Sequence, residues 1–188
     1  NEDNHDDYIK YGKPYKCNIL LHGLPGSGKT SLINSLATEI KSDIGILTFD
    51  KNTDDMKLSE ALRTFVDEDD DEKCRILVIE DIDCLFTGRK KTEDVNNSVT
   101  FSGLLNCLDG MSRMEGMIIF MTANDISNLD GALLRPGRID YKVKFDHADK
   151  YQVENMFETF LPEQVDVFPK FYRKVGCKKF TTACLHQF

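Results

Sequence analysis

The sequence predicts an α/β protein in which helices cover both faces of a parallel β-sheet, with a small helical lid at the C-terminal end. First, short apolar runs of strand length alternate with segments whose apolar residues repeat at helical spacing, a pattern typical of βαβ units. Second, the runs Ile76 to Ile79 and Met117 to Thr122 are almost continuously apolar, as in strands buried on both faces. Third, only helical patterns follow Asp146.

The strands are expected at residues 19–21, 44–49, 76–79, 117–122 and 141–145. In the last of these, lysines alternate with apolar residues, which predicts a half-exposed strand that closes the sheet. The first helix is expected to present one apolar face, made of Leu32, Ile33, Leu36, Ala37 and Ile40. A second helix carries Leu58, Leu62 and Phe65 on one face, with Thr53 as its predicted N-cap.

The 188 residues divide into three predicted parts. Residues 1–16 are polar and acidic and form an N-terminal arm. Residues 17–146 form the large α/β subdomain. Residues 147–188 form a small helical subdomain, with Asp149 and Thr181 as predicted helix caps. We expect this subdomain to be incomplete, because its last helix is cut short at Phe188.

A glycine-rich turn joins the first strand to the first helix. Gly23-Leu24-Pro25-Gly26-Ser27-Gly28-Lys29-Thr30 fits the phosphate-binding loop pattern G-x-x-x-x-G-K-[ST] at every fixed position. Glycines let successive N–H groups turn toward a polyphosphate, and the helix presents its positive dipole end to the same anion. The alternative is a glycine-rich turn that binds nothing. The motif favours a P-loop NTPase, a three-layer αβα fold, in which nucleotide-binding residues are Gly23, Pro25, Gly26, Ser27, Gly28, Lys29, Thr30 and Ser31.

Two adjacent acids follow the third predicted strand. Glu80 and Asp81 fall at its carboxyl end, the edge of a parallel sheet where ligands bind. One acid is expected to hold Mg²⁺ together with Thr30, and the other to orient or deprotonate the attacking water. The alternative is a solvated strand exit without a catalytic role.

Two further polar features follow the fourth predicted strand. Asn124 is delivered to the same edge as Glu80, where it could sense the γ-phosphate or the lytic water, although Asn is also a common turn residue. Arg135 and Arg138 flank a Pro-Gly turn. They are either solvent-exposed turn residues or arginine fingers that reach the γ-phosphate on a neighbouring subunit.

The composition limits the class of protein and its partners. With 40% hydrophobic and 30% charged residues, the chain is ordinary for a soluble globular protein. No apolar run in it approaches the length needed to span a bilayer. The formal net charge of −8 argues against a broad nucleic-acid footprint. The six cysteines show no C-x-x-C spacing and are expected to be reduced thiols of an intracellular protein.

The phosphate loop, the acidic pair, Asn124 and the arginine turn occur in the order and spacing of the AAA ATPase module, which this sequence resembles. It is especially similar to the mitochondrial chaperone family that translocates the Rieske iron–sulfur protein during assembly of respiratory complex III. The acidic pair is inverted, Glu80 before Asp81, where most AAA proteins have Asp then Glu. Two other segments resemble this chaperone family. They are Thr100 to Asn106 followed by Leu108-Asp109-Gly110, and Phe120 to Asn124.

The resemblance implies a ring-forming, Mg²⁺-dependent ATPase with its site between subunits. Lys29 and Thr30 would hold phosphate and metal, Glu80 and Asp81 would act as the acidic pair, and Asn124 as the first sensor. Arg135 and Arg138 would reach the neighbour in a homo-oligomeric hexamer or heptamer. The implied work is chaperone or translocation activity on a protein client, in the matrix at the mitochondrial inner membrane; without the subfamily likeness, a cytoplasmic location is expected.

The family's membrane anchor and its middle domain are absent from these residues, so contact with a membrane would depend on segments outside them. No aromatic-plus-glycine pore loop occurs between Asp50 and Leu58, which mildly favours a folded client. Two alternatives stay open. One is a nucleic-acid remodelling ATPase of the clamp-loader or helicase type, and the other is a scaffold that binds ATP but barely hydrolyses it.

Overall fold

A computed structural model describes residues 16–48, 53–67, 75–84, 99–100, 103–104, 106–107, 117–127, 129–135, 138–175 and 178–187. It contains a five-stranded sheet in the order β2-β3-β4-β1-β5. All four pairings are parallel. The strands are β1 Cys17–Gly23, β2 Asp43–Leu47, β3 Arg75–Ile79, β4 Met117–Ala123 and β5 Tyr141–Phe145. The α/β class with a parallel sheet is therefore confirmed.

Helices α1 Lys29–Ile40 and α2 Asp55–Asp67 cover the two faces of this sheet. The helices that follow β5 are α3 Lys150–Phe160, a 3₁₀ helix Pro162–Val167, α4 Phe168–Val175 and α5 Thr182–Leu185. On one face, Ile33 and Ala37 of α1 join a buried cluster with Val78. On the other, Leu58 and Leu62 of α2 join a second cluster. Because alternate strand residues point to opposite faces, the apolar strands feed both clusters and produce the three predicted layers.

The register of the central strands positions the site. Ile79 of β3 lies beside Met121 of β4, so these two strands end side by side. β1 pairs with the other edge of β4, with His22 next to Ala123. Because all these strands run in the same direction, the residues after β1, β3 and β4 meet at one edge of the sheet.

Two details of the predicted elements were wrong. In α1, Ile33 and Ala37 are buried, but Leu32, Leu36 and Ile40 are 38%, 38% and 44% exposed, so the helix packs along a narrower face. The N-cap of α2 is Asp54, whose carboxylate accepts the Lys57 N–H at 2.8 Å, and not Thr53. A side chain caps a helix by reaching the third N–H ahead, and Asp54 directly precedes the first helical residue.

The edges of the sheet also differ from expectation. Among the described strands, β5 pairs with β1 alone, and its residues 141–144 are exposed on both faces, whereas one buried face was predicted. β2 ends at Leu47, so Thr48 is outside the strand, and residue 49 lies outside the described residues. β4 continues one residue further than predicted, to Ala123.

The C-terminal helices form a small aromatic unit. Asp149 caps α3 as predicted: its side chain accepts the Gln152 N–H at 2.8 Å, and the Gln152 side chain accepts the Asp149 N–H at 3.0 Å. The ring of Phe168 packs with those of Phe157 and Tyr172, with centroids 5.4 and 5.5 Å apart. Division into 17–146 and 147–188 stays a prediction; of the N-terminal arm, only Lys16 is within the described residues. None of the helices in the described part of the chain has the length and apolarity that crossing a bilayer requires.

Gly23, the last residue of β1, leaves no room for a side chain. Its φ is +133°, and a Cβ there would collide with the Phe145 carbonyl of β5. Gly23→Ala is therefore expected to lower the free energy of unfolding by about 2 kcal/mol or more in urea denaturation. Gly131→Ala is the matched control, because a Cβ at that position has nothing within 4 Å. Equal stability of the two variants would contradict the steric reason.

Candidate functional site

The turn between β1 and α1 has the backbone of an anion-binding loop. Gly26 and Gly28 adopt φ values of +71° and +95°, which side-chain-bearing residues rarely adopt. Gly28 is the N-cap of α1, so this position supplies no side-chain hydrogen bond to the first N–H groups of the helix. The helix also has no acidic residue in its first turn. The positive end of α1 is thus left available to a bound anion.

Lys29 lies at the centre of this loop and is 8% exposed. Its Nζ donates to the carbonyls of Gly23 and Leu24 at 2.8 and 3.1 Å, and to Asn124 Oδ1 at 3.0 Å. Burial lowers the pKa of the Lys29 amine, whereas the charges of Asp81 and Asp83 oppose this shift. The amine therefore connects the loop to the end of β4.

The acidic pair faces two different partners. Glu80 Oε1 accepts from the Thr30 hydroxyl at 3.3 Å. Asp81 Oδ1 lies 3.4 Å from Asn124 Nδ2, which donates to it. Glu80 therefore stands beside the hydroxyl of the loop, and Asp81 stands beside the predicted sensor. This separation gives the two acids distinct surroundings although they are adjacent in sequence.

These groups border one open cavity of about 380 Å³, a volume in the range of small-molecule sites. Two segments that were predicted separately, the loop and the acidic strand end, meet here. The predicted residues that line the cavity are Pro25, Gly26, Gly28, Lys29, Thr30, Ser31, Glu80, Asp81 and Asn124.

Two predicted loop residues do not line the cavity. Gly23 contributes its carbonyl to Lys29. Ser27 is 7% exposed, and its Oγ has no hydrogen-bond partner within the described parts of the chain. Its N–H donates to the Leu24 carbonyl at 3.3 Å, which closes the turn. Both residues shape the loop, and their nucleotide-binding roles stay predictions.

Arg135 and Arg138 are not among the residues that line the cavity of their own chain. Arg135 is exposed. Arg138 is half-buried, and its Nη1 donates to the Ala132 carbonyl at 3.1 Å. The Arg138 carbonyl accepts from the buried Asn18 side chain of β1 at 2.9 Å, so Arg138 is anchored to the sheet. The finger roles of both arginines stay predictions.

The sequence analysis missed four residues that line the cavity: Thr122, Thr182, Ala183 and His186. The Thr182 hydroxyl and the Ala183 N–H both donate to the Gly26 carbonyl at 2.9 Å. His186 packs edge-on against Phe160 of α3, with ring centroids 5.2 Å apart. The C-terminal segment is therefore docked on the phosphate loop, as expected of a lid. The only signal in the sequence was the helix that Thr181 was predicted to begin.

The donor set fits a nucleoside triphosphate with a divalent cation. The free N-terminus of α1 and the Lys29 amine suit phosphate oxygens. Thr30, Glu80 and Asp81 supply the oxygen ligands that Mg²⁺ prefers. The missing Cβ of Gly26 makes room for the C-terminal segment, because a Cβ there would lie 2.9 Å from the Ala183 Cβ.

Comparison with known proteins assigns the family. Residues 19–147 match the ATPase family associated with various cellular activities (AAA). The chain is 42% identical over 161 residues to "Probable mitochondrial chaperone BCS1-A" of Dictyostelium discoideum, covering 81% of this chain and 37% of that protein. It is 38% identical to mitochondrial chaperone BCS1 of Bos taurus, covering 86% and 39%, and 38% identical to an AAA-ATPase of Arabidopsis thaliana, covering 76% and 31%.

The chain thus spans less than half the length of these relatives. The similarity of this chain to these relatives agrees with the geometry of the cavity, where a phosphate loop, an acidic pair and an asparagine converge. The chain belongs to the AAA family of ATPases.

Proposed function

We propose that this cavity hydrolyses ATP in a Mg²⁺-dependent reaction that drives chaperone or translocation work. The observation that carries the proposal is the convergence of three separate segments. Lys29 lies 3.0 Å from Asn124, Thr30 lies 3.3 Å from Glu80, and Asn124 lies 3.4 Å from Asp81. Together they provide a phosphate-binding amine, oxygen ligands for a metal and a carboxylate beside a polar amide.

Each residue has a role that its surroundings support. Lys29 and the N–H groups of α1 bind the phosphates. Thr30 and Glu80 would hold the metal, which would neutralise charge on the phosphates. Asp81 accepts a proton from the attacking water, and Asn124 orients that water or the γ-phosphate. The reaction of ATP with one water gives ADP and inorganic phosphate.

The client class and location are taken from the likeness to the mitochondrial chaperones. We infer a protein client in folded form, because the sequence has no aromatic-plus-glycine pore loop between Asp50 and Leu58. We also infer a mitochondrial setting at the inner membrane with this domain in the matrix. The whole protein would assemble as a homo-oligomeric hexamer or heptamer. Any membrane contact would come from segments outside these residues.

The proposed activity is tested by phosphate release from the full-length protein with ATP and Mg²⁺. Turnover that disappears with EDTA and returns with added Mg²⁺ supports it. Addition of single-stranded DNA or RNA distinguishes a chaperone from a nucleic-acid remodelling ATPase. Strong stimulation by nucleic acid, without an effect of a protein client, would favour the remodelling alternative over the chaperone.

Arg135 provides a test of the subunit arrangement. It is exposed and does not line the cavity of its own chain, so we expect it to complete the site of a neighbour. Mixing Arg135→Ala subunits with wild-type subunits should depress phosphate release more than dilution alone, and the activity per wild-type subunit should rise with its concentration. Arg173→Ala, an exposed arginine on α4, is the matched control. Activity that is independent of concentration and additive in mixtures would contradict the trans arrangement.

A further inference from the structure

Thr122 connects the end of β4 to the turn that follows β3. Its side chain is 3% exposed, and its Oγ1 accepts the N–H of Asp81 at 3.0 Å. Its main-chain carbonyl accepts the N–H of the next residue, Ile82, at 2.9 Å. One buried threonine therefore holds two consecutive N–H groups at the point where the acidic pair leaves the sheet.

Asp81 needs this support because of its backbone. Its φ is +49°, in the left-handed region that residues with a Cβ seldom occupy. Such a conformation persists where surrounding contacts fix it, and the direction of the side chain follows from it. The bond from the Asp81 N–H to the Thr122 hydroxyl is the contact that holds this residue directly to β4.

A second set of hydrogen bonds connects the same two segments, but here the acceptor follows β3 and the donors follow β4. Asp83 is 7% exposed, and its Oδ2 accepts the N–H groups of Asn124 and Asp125 at 3.1 and 3.0 Å. Asn124 in turn donates to Asp81 Oδ1 at 3.4 Å and accepts from Lys29 at 3.0 Å. The acid, the sensor and the phosphate-loop lysine are thus held as one hydrogen-bonded unit.

We propose that Thr122 is a positioning residue for ATP hydrolysis at this site. Its hydroxyl fixes the backbone of Asp81 so that the carboxylate is held beside Asn124 at the border of the cavity. Although Thr122 lines the cavity, its hydroxyl bonds to the backbone of Asp81, so its effect is assigned to Asp81 and not to contact with the nucleotide. The inference rests on the proposed ATP hydrolysis, and it assigns a function to a residue that the sequence analysis did not identify.

A positioning role and a purely structural role for Thr122 predict different results for substitutions. Valine matches threonine in shape but removes the acceptor of the Asp81 N–H, whereas serine keeps the hydroxyl and removes a methyl group. A positioning role predicts a loss of turnover in Thr122→Val that serine largely restores. A purely structural role predicts that turnover follows stability and not the presence of the hydroxyl.

The experiment compares wild type, Thr122→Val, Thr122→Ser and the control Ile119→Val in the full-length protein. Ile119 is fully buried on the same strand, and its loss of a methylene lowers stability without touching the acidic turn. The measurements are kcat and KM for ATP with Mg²⁺, the Kd of a non-hydrolysable ATP analogue, and the midpoint of thermal unfolding.

We expect Thr122→Val to lower kcat by about 10-fold to 100-fold, because a small displacement of a reacting group has effects of this size. The KM and the analogue Kd should stay within about threefold of wild type, because the substitution leaves in place the groups that bind ATP equally in the ground state and the transition state. Thr122→Ser should recover most of the lost kcat. Ile119→Val should lower the unfolding midpoint while leaving kcat unchanged.

A Thr122→Val kcat within about twofold of wild type would overturn the proposal, because displacement of a reacting group has a larger effect. A loss that serine does not restore, or that appears equally in Ile119→Val, would also overturn it. If Thr122→Val has no cooperative unfolding transition, Thr122→Ser and Thr122→Ala form a pair that differs only in the hydroxyl, and the same comparison applies. Absence of phosphate release from wild type would overturn the proposed function together with this inference.

Discussion

Lys29→Met is expected to lower the affinity for ATP by about 100-fold or more, because charge-assisted hydrogen bonds to phosphate are lost. Methionine has a similar unbranched chain, so the packing around the loop is largely kept. In the present structure the amine already has three oxygen acceptors, and it lies between the loop and Asn124. The substitution therefore removes both the phosphate ligand and the link between these segments.

Titration with a fluorescent ATP analogue measures this loss of affinity. Lys144→Met is the matched control, because it removes the same charge from an exposed residue of β5 that pairs with Asp146 at 3.0 Å. The control should bind nucleotide like wild type. An affinity of Lys29→Met within about threefold of wild type, a difference of well under 1 kcal/mol, would show that the loop does not hold the phosphates.

Asp81→Asn is expected to abolish turnover while leaving ATP binding largely intact. Loss of a general base costs about 100-fold to 10,000-fold in rate. Asparagine tolerates the left-handed backbone of Asp81 as well as aspartate does, so the φ of +49° is no obstacle to folding. The effect on kcat can therefore be assigned to the carboxylate and not to the turn.

Glu80→Gln provides the contrast to Asp81→Asn. Glu80 lies beside the Thr30 hydroxyl, so the concentration of Mg²⁺ that gives half-maximal activity should rise by about 10-fold, as for loss of a metal-site partner. Asp81→Asn should leave that Mg²⁺ dependence near the wild-type value. Phosphate release at a series of Mg²⁺ concentrations measures both effects. Near-normal hydrolysis by Asp81→Asn would contradict the roles given to the inverted pair.

The strands and the loop could be predicted because their signals are local. A run such as Ile76 to Ile79 has no polar alternation, so burial on both faces and a parallel neighbour follow directly. The phosphate loop is specified by fixed residues within one turn. Once the strands were known to be parallel, the adjacency of the loop, Glu80 and Asn124 followed from the common direction of the strands.

The missed residues depend on contacts that are distant in sequence. Thr182 bonds to Gly26 across 156 positions, and it belongs to a helix of four residues that is too short to show a period. Thr122 reads as a β-branched residue that fills a strand, and only the structure reveals the Asp81 N–H on its hydroxyl. Helix caps have the same difficulty on a smaller scale, since Thr53 and Asp54 are adjacent and both belong to the residue types that cap helices.

The claim that this cavity is the ATP site is tested most directly by a crystal structure of the full-length protein with Mg²⁺ and a non-hydrolysable ATP analogue. We predict that Lys29 Nζ and Asn124 contact the γ-phosphate and that the metal lies against Thr30 and Glu80. The Gly26 carbonyl should keep its bonds to Thr182 and Ala183. A nucleotide bound elsewhere, or a Lys29 amine that stays on the carbonyls of Gly23 and Leu24 without touching phosphate, would contradict the claim.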